Sequence, residues 1–208
     1  MKFTFLFFSL ILMSLITFNS SFVIHHSPFT IKYSLSIIPH QLRGIEAAPL
    51  TWREYKSFDG KFRVIVPDGE MTEKVSKIKT AVGELPYHTF LNRPNEKSPD
   101  NIFYLVNYCD YPKDTFHPDS TELINEFMTT TIESSAKSVG GSVTYSGDIE
   151  QLSRKGKVWR VQYNNDRALI KSKCFLVGDR FYMIQTMMLR EKAMNPSADK
   201  FLDSFQFF

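Results

Sequence analysis

The chain has 208 residues, 43% of them hydrophobic and 23% charged, with a formal charge of +3 that becomes +2 without Lys2. This is the balance of a folded globular chain, and the length allows one ordinary domain with tails. It excludes a disordered chain. It also speaks against a nucleic-acid partner, which calls for basic residues crowded on one face, whereas here Lys and Arg are spread along every strand run.

Lys2 precedes an almost unbroken apolar run, Phe3 to Phe18, followed by polar Asn19-Ser20-Ser21. The run is about 16 residues, short of the roughly 20 that span a bilayer. Residues 1–21 are therefore expected to be a secretory signal peptide, and the protein to be exported, periplasmic or extracellular. No clean Ala-x-Ala follows, so an uncleaved signal anchor is the alternative. Membrane association is expected only through residues 1–18. No Cys lies near the run, which excludes bacterial lipoprotein attachment. Residues 22–50 carry Pro28, Pro39 and Pro49 and no sustained period, as in a linker or pro-segment. His25, His26 and His40 lack a Cys or carboxylate at ligand spacing and suggest no metal site.

A single domain over residues 51–208 is expected from Trp52 onward. Asp59-Gly60 between two alternating runs predicts a type I′ hairpin, ended at Pro67. Met71–Thr80 and Glu84–Leu91 predict a strand pair around Gly83, and residues 92–100 a polar loop. Ile102–Cys109 is apolar on both alternating faces, as a central strand must be. One long helix follows, with Asp119 as N-cap, Glu122 completing a capping box, and Gly140-Gly141 ending it. Its apolar stripe is Leu123, Ile124, Phe127, Met128, Ile132 and Val139. Thr129-Thr130-Thr131 lowers helix propensity, so packing must hold it. Val143–Leu152, Val158–Tyr163, Ala168–Val177 and Phe181–Leu189 predict an antiparallel meander. Its corners are expected at Arg154-Lys155-Gly156, at Asn164-Asn165-Asp166 and at a type II′ Gly178-Asp179 turn. The last strand is apolar on both sides, so helices cover both faces or a second sheet covers one. Pro196 opens a closing helix, Ala198–Leu202, whose Phe201, Leu202 and Phe205 pack on the sheet. The fold class is α+β: an antiparallel sheet of six or more strands, one long central helix and a short C-terminal helix.

Several of these stretches carry a resemblance: Asp59-Gly60-Lys61-Phe62 with Val64 and Pro67; Tyr104-x-Val106-x-Tyr108-x-Asp110-Tyr111-Pro112; Phe175 to Tyr182; and Phe201-Leu202-Asp203-Ser204-Phe205. They resemble a group of exported bacterial proteins of unassigned function, whose sandwich is similar to that of the PsbP extrinsic photosystem subunits and the Mog-type Ran-binding proteins. The resemblance spans residues 52–207. It implies a PsbP-like sandwich and, since PsbP relatives mostly act as binding or assembly modules, a binding or assembly role; the export signal together with the absence of assembled catalytic groups makes the expected partner an envelope or extracellular protein. Its motifs are turn and core motifs. Nothing matches a manganese, calcium or Ran site, so no functional residue is carried over.

No Walker loop, Gly-x-Gly-x-x-Gly, His-Glu-x-x-His or Gly-x-Ser-x-Gly occurs. No catalytic residue, metal ligand or cofactor is assigned. The alternative function, an exported metal-dependent hydrolase, rests on Asp110, Asp114, His117, Asp119 and Glu122, oxygen and imidazole groups within loop 110–122. Their spacing lacks the glycine of a calcium hand, and a solvated loop explains them more simply. His88, beside Tyr87 and Phe90, has no partner carboxylate or nucleophile and reads as structural. Gly140-Gly141-Ser142 resembles an oxyanion turn, but helix capping accounts for it. Alternation puts Cys109 with Phe103 and Leu105, and Cys174 with Ile170 and Leu176; both point to core, and two buried thiols are favoured over a bridge. Tyr104, Tyr108, Tyr111, Phe116, Trp159 and Tyr163 are candidates to line a groove, with ordinary sheet packing the simpler account.

Overall fold

The computed structural model describes residues 51–96 and 99–208. The expected signal segment 1–21, the linker 22–50 with its three histidines, and Lys97 and Ser98 lie outside the described residues. The strands are β1 (Trp52–Ser57), β2 (Phe62–Pro67), β3 (Gly69–Thr80), β4 (Gly83–Pro94), β5 (Phe103–Asp110), β6 (Ser142–Gln151), β7 (Arg154–Tyr163), β8 (Ala168–Val177), β9 (Arg180–Leu189) and β10 (Gln206–Phe207). The helices are α1 (Thr121–Ser138) and α2 (Pro196–Ser204).

Seven strands form an antiparallel sheet in the order β3-β4-β5-β9-β8-β7-β6, and β1-β2-β10 form a second, three-stranded sheet. Of the two coverings that the apolar strands allow, both occur. One face of the large sheet carries α1; the other carries the small sheet and α2. Register fixes the division. Val75, His88, Tyr108, Tyr182, Phe175 and Gly156 stand in one cross-strand row, on the sandwich face. The next positions along the strands, Ser76, Tyr87, Cys109, Phe181 and Leu176, face α1. The sandwich core joins Phe62, Val64 and Val66 of β2 to Tyr104, Tyr182, Ile184, Phe201 and Phe205. The helix-side core joins Phe127, Met128, Ile132 and Ala136 to Trp159, Cys174, Phe181 and Met183.

The threonine-rich helix is held by packing, as its weak propensity requires. Its buried stripe also takes in Thr131, Ser135 and Ala136. Thr131 donates to the Phe127 carbonyl at 2.8 Å, and Ser135 Oγ accepts from Trp159 Nε1 at 2.8 Å, so neither hydroxyl costs an unmet hydrogen bond. At its end Gly140 takes φ +61, with Gly140 N–H bonded to the Lys137 carbonyl and Gly141 N–H to the Ala136 carbonyl, a Schellman motif. The start differs from expectation. Ser120, not Asp119, is the N-cap, and it makes no side-chain capping bond. Asp119 stands outside the helix with its side chain 92% exposed, and the expected Asp119–Glu122 capping box does not form.

Three other expectations change. The β1–β2 connection is the four-residue loop 58–61 with Lys61 at φ +51, not a type I′ turn on Asp59-Gly60. Gly60 serves close approach instead: a Cβ there would lie 2.6 Å from the Phe62 ring. The β6–β7 corner is Leu152-Ser153, both at positive φ, so no glycine marked it. Gly156 lies inside β7 because Phe175 covers it. Finally, α2 runs Pro196–Ser204, longer than the expected Ala198–Leu202, and Phe205 leads from it into β10.

α2 is fixed by chemistry at both ends. Asn195 Oδ1 caps it, accepting from Ala198 N–H at 2.8 Å, with Pro196 in the first helical position. Lys171 and Lys173 of β8 pair with Asp199 and Asp203. Two residues along a strand and four along a helix cover nearly the same length, so the two pairs fit without strain.

Candidate functional site

The acids of loop 110–122 do not converge. Asp110 is held by Arg180, its partner across β5–β9, through Nη2 to Oδ2 at 2.7 Å and a second bond from Nε. The same guanidinium donates to the Asp59 carbonyl at 2.7 Å and lies 4.7 Å over the Tyr108 ring. Arg180 therefore fastens the β1–β2 loop to the large sheet, and Tyr182 adds a 2.8 Å bond to the Gly60 carbonyl. Asp179 organises the rest: its carboxylate accepts from Asp114 N–H and Phe116 N–H, both at 2.9 Å. His117 Nδ1 accepts from Asp119 N–H at 3.3 Å, in solvent. Among the described residues no group of three or more His, Cys, Asp or Glu side chains is placed to hold a metal ion. Asp110 is thus committed to Arg180, and the loop is pinned at Asp114 and Phe116 through their backbone N–H groups rather than through its own acids.

The thiols and His88 sit on opposite faces. His88 stacks on Tyr108, ring centroids 4.3 Å apart, on the sandwich side. Cys109 and Cys174 are both free, buried and turned to the α1 side. Burial pushes each thiol up to about 12, the Asp110 carboxylate adding to the effect at Cys109, and the Lys157 backbone hydrogen bond and then its ammonium opposing it at Cys174. A nucleophilic cysteine needs the reverse environment. Strand β9 separates β5 from β8, and the cysteines are offset by two residues along the strands, so the two Cα atoms stand about 12 Å apart, beyond bridging distance. The six candidate aromatics are likewise divided. Tyr104 and Tyr108 belong to the sandwich core, Trp159 and Phe116 to the helix-side core, with Tyr111 and Tyr163 against it. Gly140-Gly141-Ser142 is the helix cap and β6 start.

What the sequence did not disclose is a cleft of about 700 Å³ between the first half of α1 and the ends of β6 and β7. Phe116, Ile124, Met128 and Leu176 give it apolar walls. Its strand side carries two cross-strand pairs, Asp148 opposite Lys157 and Glu150 opposite Lys155. Lys157 pairs with Asp148, but unequally: the lysine side chain is 23% exposed and the aspartate 84%. The lysine side chain lies along the cleft and its ammonium meets the exposed carboxylate. On the helix side stand Thr121 and Asn125, in the first turns of α1. Phe116 is the one sequence-stated candidate in the cleft. By sequence Lys155 reads as a corner residue and Lys157 lies before the expected strand Val158–Tyr163, because nothing local shows that β7 starts at Arg154 with a distant helix over it. A smaller hollow, about 310 Å³, lies beside Arg180, lined by Lys61, Tyr111 and Phe207.

No family model and no curated protein matches the sequence. Among solved structures, the chain is similar to the solution structure of cyanobacterial PsbP (CyanoP) from Synechocystis sp. PCC 6803. The likeness has a TM-score of 0.49 at 13% identity and covers 83% of this chain and 99% of that one.

Proposed function

We propose that this chain is an exported, non-catalytic binding or assembly module that contacts an envelope or extracellular protein through the cleft between α1 and the β6–β7 hairpin. The cleft carries the reading. It is of the size of a ligand site and amphipathic, with a few polar groups placed over apolar walls. The apolar run at Phe3–Phe18 supports export. Groups that would argue for chemistry are otherwise committed: the thiols are shielded beneath α1, and Asp110 is ion-paired with Arg180.

The test compares the native chain with Leu176→Arg, which places a charge in the apolar wall. Both are used as bait in envelope extracts, with fractionation and N-terminal sequencing of the expressed protein. A partner retained by the native chain and lost by the variant, together with export, is the expected result. Turnover of a small-molecule substrate by the native chain, with no cleft-dependent partner, would overturn it.

A further inference from the structure

We infer that β3 pairs antiparallel, edge to edge, with β3 of a second copy of this chain, joining the two large sheets across a two-fold axis at Val75. Among the described residues β3 is bonded only to β4, so its outer row of N–H and C=O groups is a template for a further strand. The other edges are blunted: β6 carries a bulge between Val143 and Tyr145, β1 has six residues and β10 two. β3 runs for twelve residues without proline, and its register with β4 shows no shift from end to end. Only its start is covered, where Arg53 Nη2 donates to the Gly69 carbonyl at 3.3 Å. Lysines along an edge ordinarily deter pairing, and β3 carries Lys74, Lys77 and Lys79. Their order along the strand makes an exception for one partner. Glu70 and Glu73 come first and the lysines follow, so an antiparallel copy sets acids against lysines. Opposite charges directly across a strand pair stabilise it, and like charges do the reverse. With Val75 opposite its own mate, Glu73 of each copy faces Lys77 of the other. All six side chains lie on the sandwich face, where Val75 is 60% exposed. The Tyr55 hydroxyl donates to one oxygen of the Glu73 carboxylate and steadies it there. On the other face Lys74 stands opposite Ser76. Alternation allows slips only by two residues. One such slip sets Lys74 against Lys74, and the opposite one sets Val75 against Lys77. The contact is isologous and closes at two copies. β3 and the α1/β6–β7 cleft lie at opposite edges of the sheet, so neither reading depends on the other.

Sedimentation velocity of the full chain over a range of concentrations measures association, with circular dichroism to confirm that each variant is folded. A monomer–dimer equilibrium is expected. Lys77→Glu puts two like-charged pairs in place of two opposite ones and should weaken association about tenfold or more. Glu73→Lys should do the same, and an equimolar mixture of the two variants should restore the dimer, because each then meets its complement. A second measurement keeps the test independent of those charges. Under mild oxidation Val75→Cys should link two chains, since directly opposed residues stand within bridging reach. Val82→Cys, at the β3–β4 hairpin tip and 45% exposed, should not. A native chain that stays monomeric, a dimer indifferent to Lys77→Glu, a folded mixture that fails to associate, or equal linking through positions 75 and 82 would each overturn the inference.

Discussion

Cys174 Sγ lies 3.3 Å from Met128 Sδ, beneath α1, and Cys109 sits on the same face beyond β9. Thiols so placed should resist alkylation in the native protein at neutral pH. After denaturation without reductant, a thiol assay should count both; finding neither would mean that a bridge forms. A different kind of sensitivity is expected at Gly156. A Cβ there would fall 2.2 Å from the Cys174 carbonyl oxygen and 2.6 Å from the Phe175 ring. The backbone of a paired neighbour cannot move aside, so Gly156→Ala should destabilise by about 2–3 kcal/mol in chemical denaturation. At this scale the sequence was legible where alternation alone decides the outcome, as for the faces of Cys109 and Cys174. It was silent where a side chain takes its role from a distant partner. Asp179 was visible as a turn residue, but not as the acceptor for two amides of another loop.

The ends of the two helices make a pair of graded expectations. Gly140 has open space around it, so Gly140→Ala costs only the left-handed backbone of a non-glycine residue, about 1 kcal/mol. Asn195→Ala removes the α2 cap and also takes an acceptor from buried Asn101, whose Nδ2 donates to Asn195 Oδ1 at 3.0 Å. About 2 kcal/mol is expected from the two losses together, read as a lower denaturation midpoint. Long elements were legible because their apolar spacing repeats often enough to be unambiguous: α1, β5, β8 and β9 all stand where the pattern put them. The two-residue β10 offers no pattern to read. The Leu152-Ser153 corner adopts positive φ without the residues that favour it, so the turn was assigned a few positions late.

Over the whole molecule, burial of proton-bearing groups sets the alkaline limit. Cys109, Cys174 and Tyr104 are all raised to about 12, chiefly by burial. In the unfolded chain thiols lose their protons near roughly 8.5 and phenols near roughly 10. Above those values the unfolded chain holds fewer protons than the native one, so stability falls as pH rises. The contribution is complete below about pH 8.5 and is lost on approach to 12. Melting temperature measured from pH 8 upward should therefore decline, and Cys109→Ala with Cys174→Ala should make the decline shallower. The small sheet carries a consequence of another kind, in time. Strand β2 pairs with β10 through Arg63 and Gln206, 143 positions apart. Closing so long a loop is entropically slow, whereas the β6–β9 meander closes through neighbouring strands. Folding should then proceed from the meander outward, and the clasp of β10 on β2 should be the last step. Amides of the small sheet ought to gain exchange protection after those of β8 and β9, and to lose it first when the native protein opens.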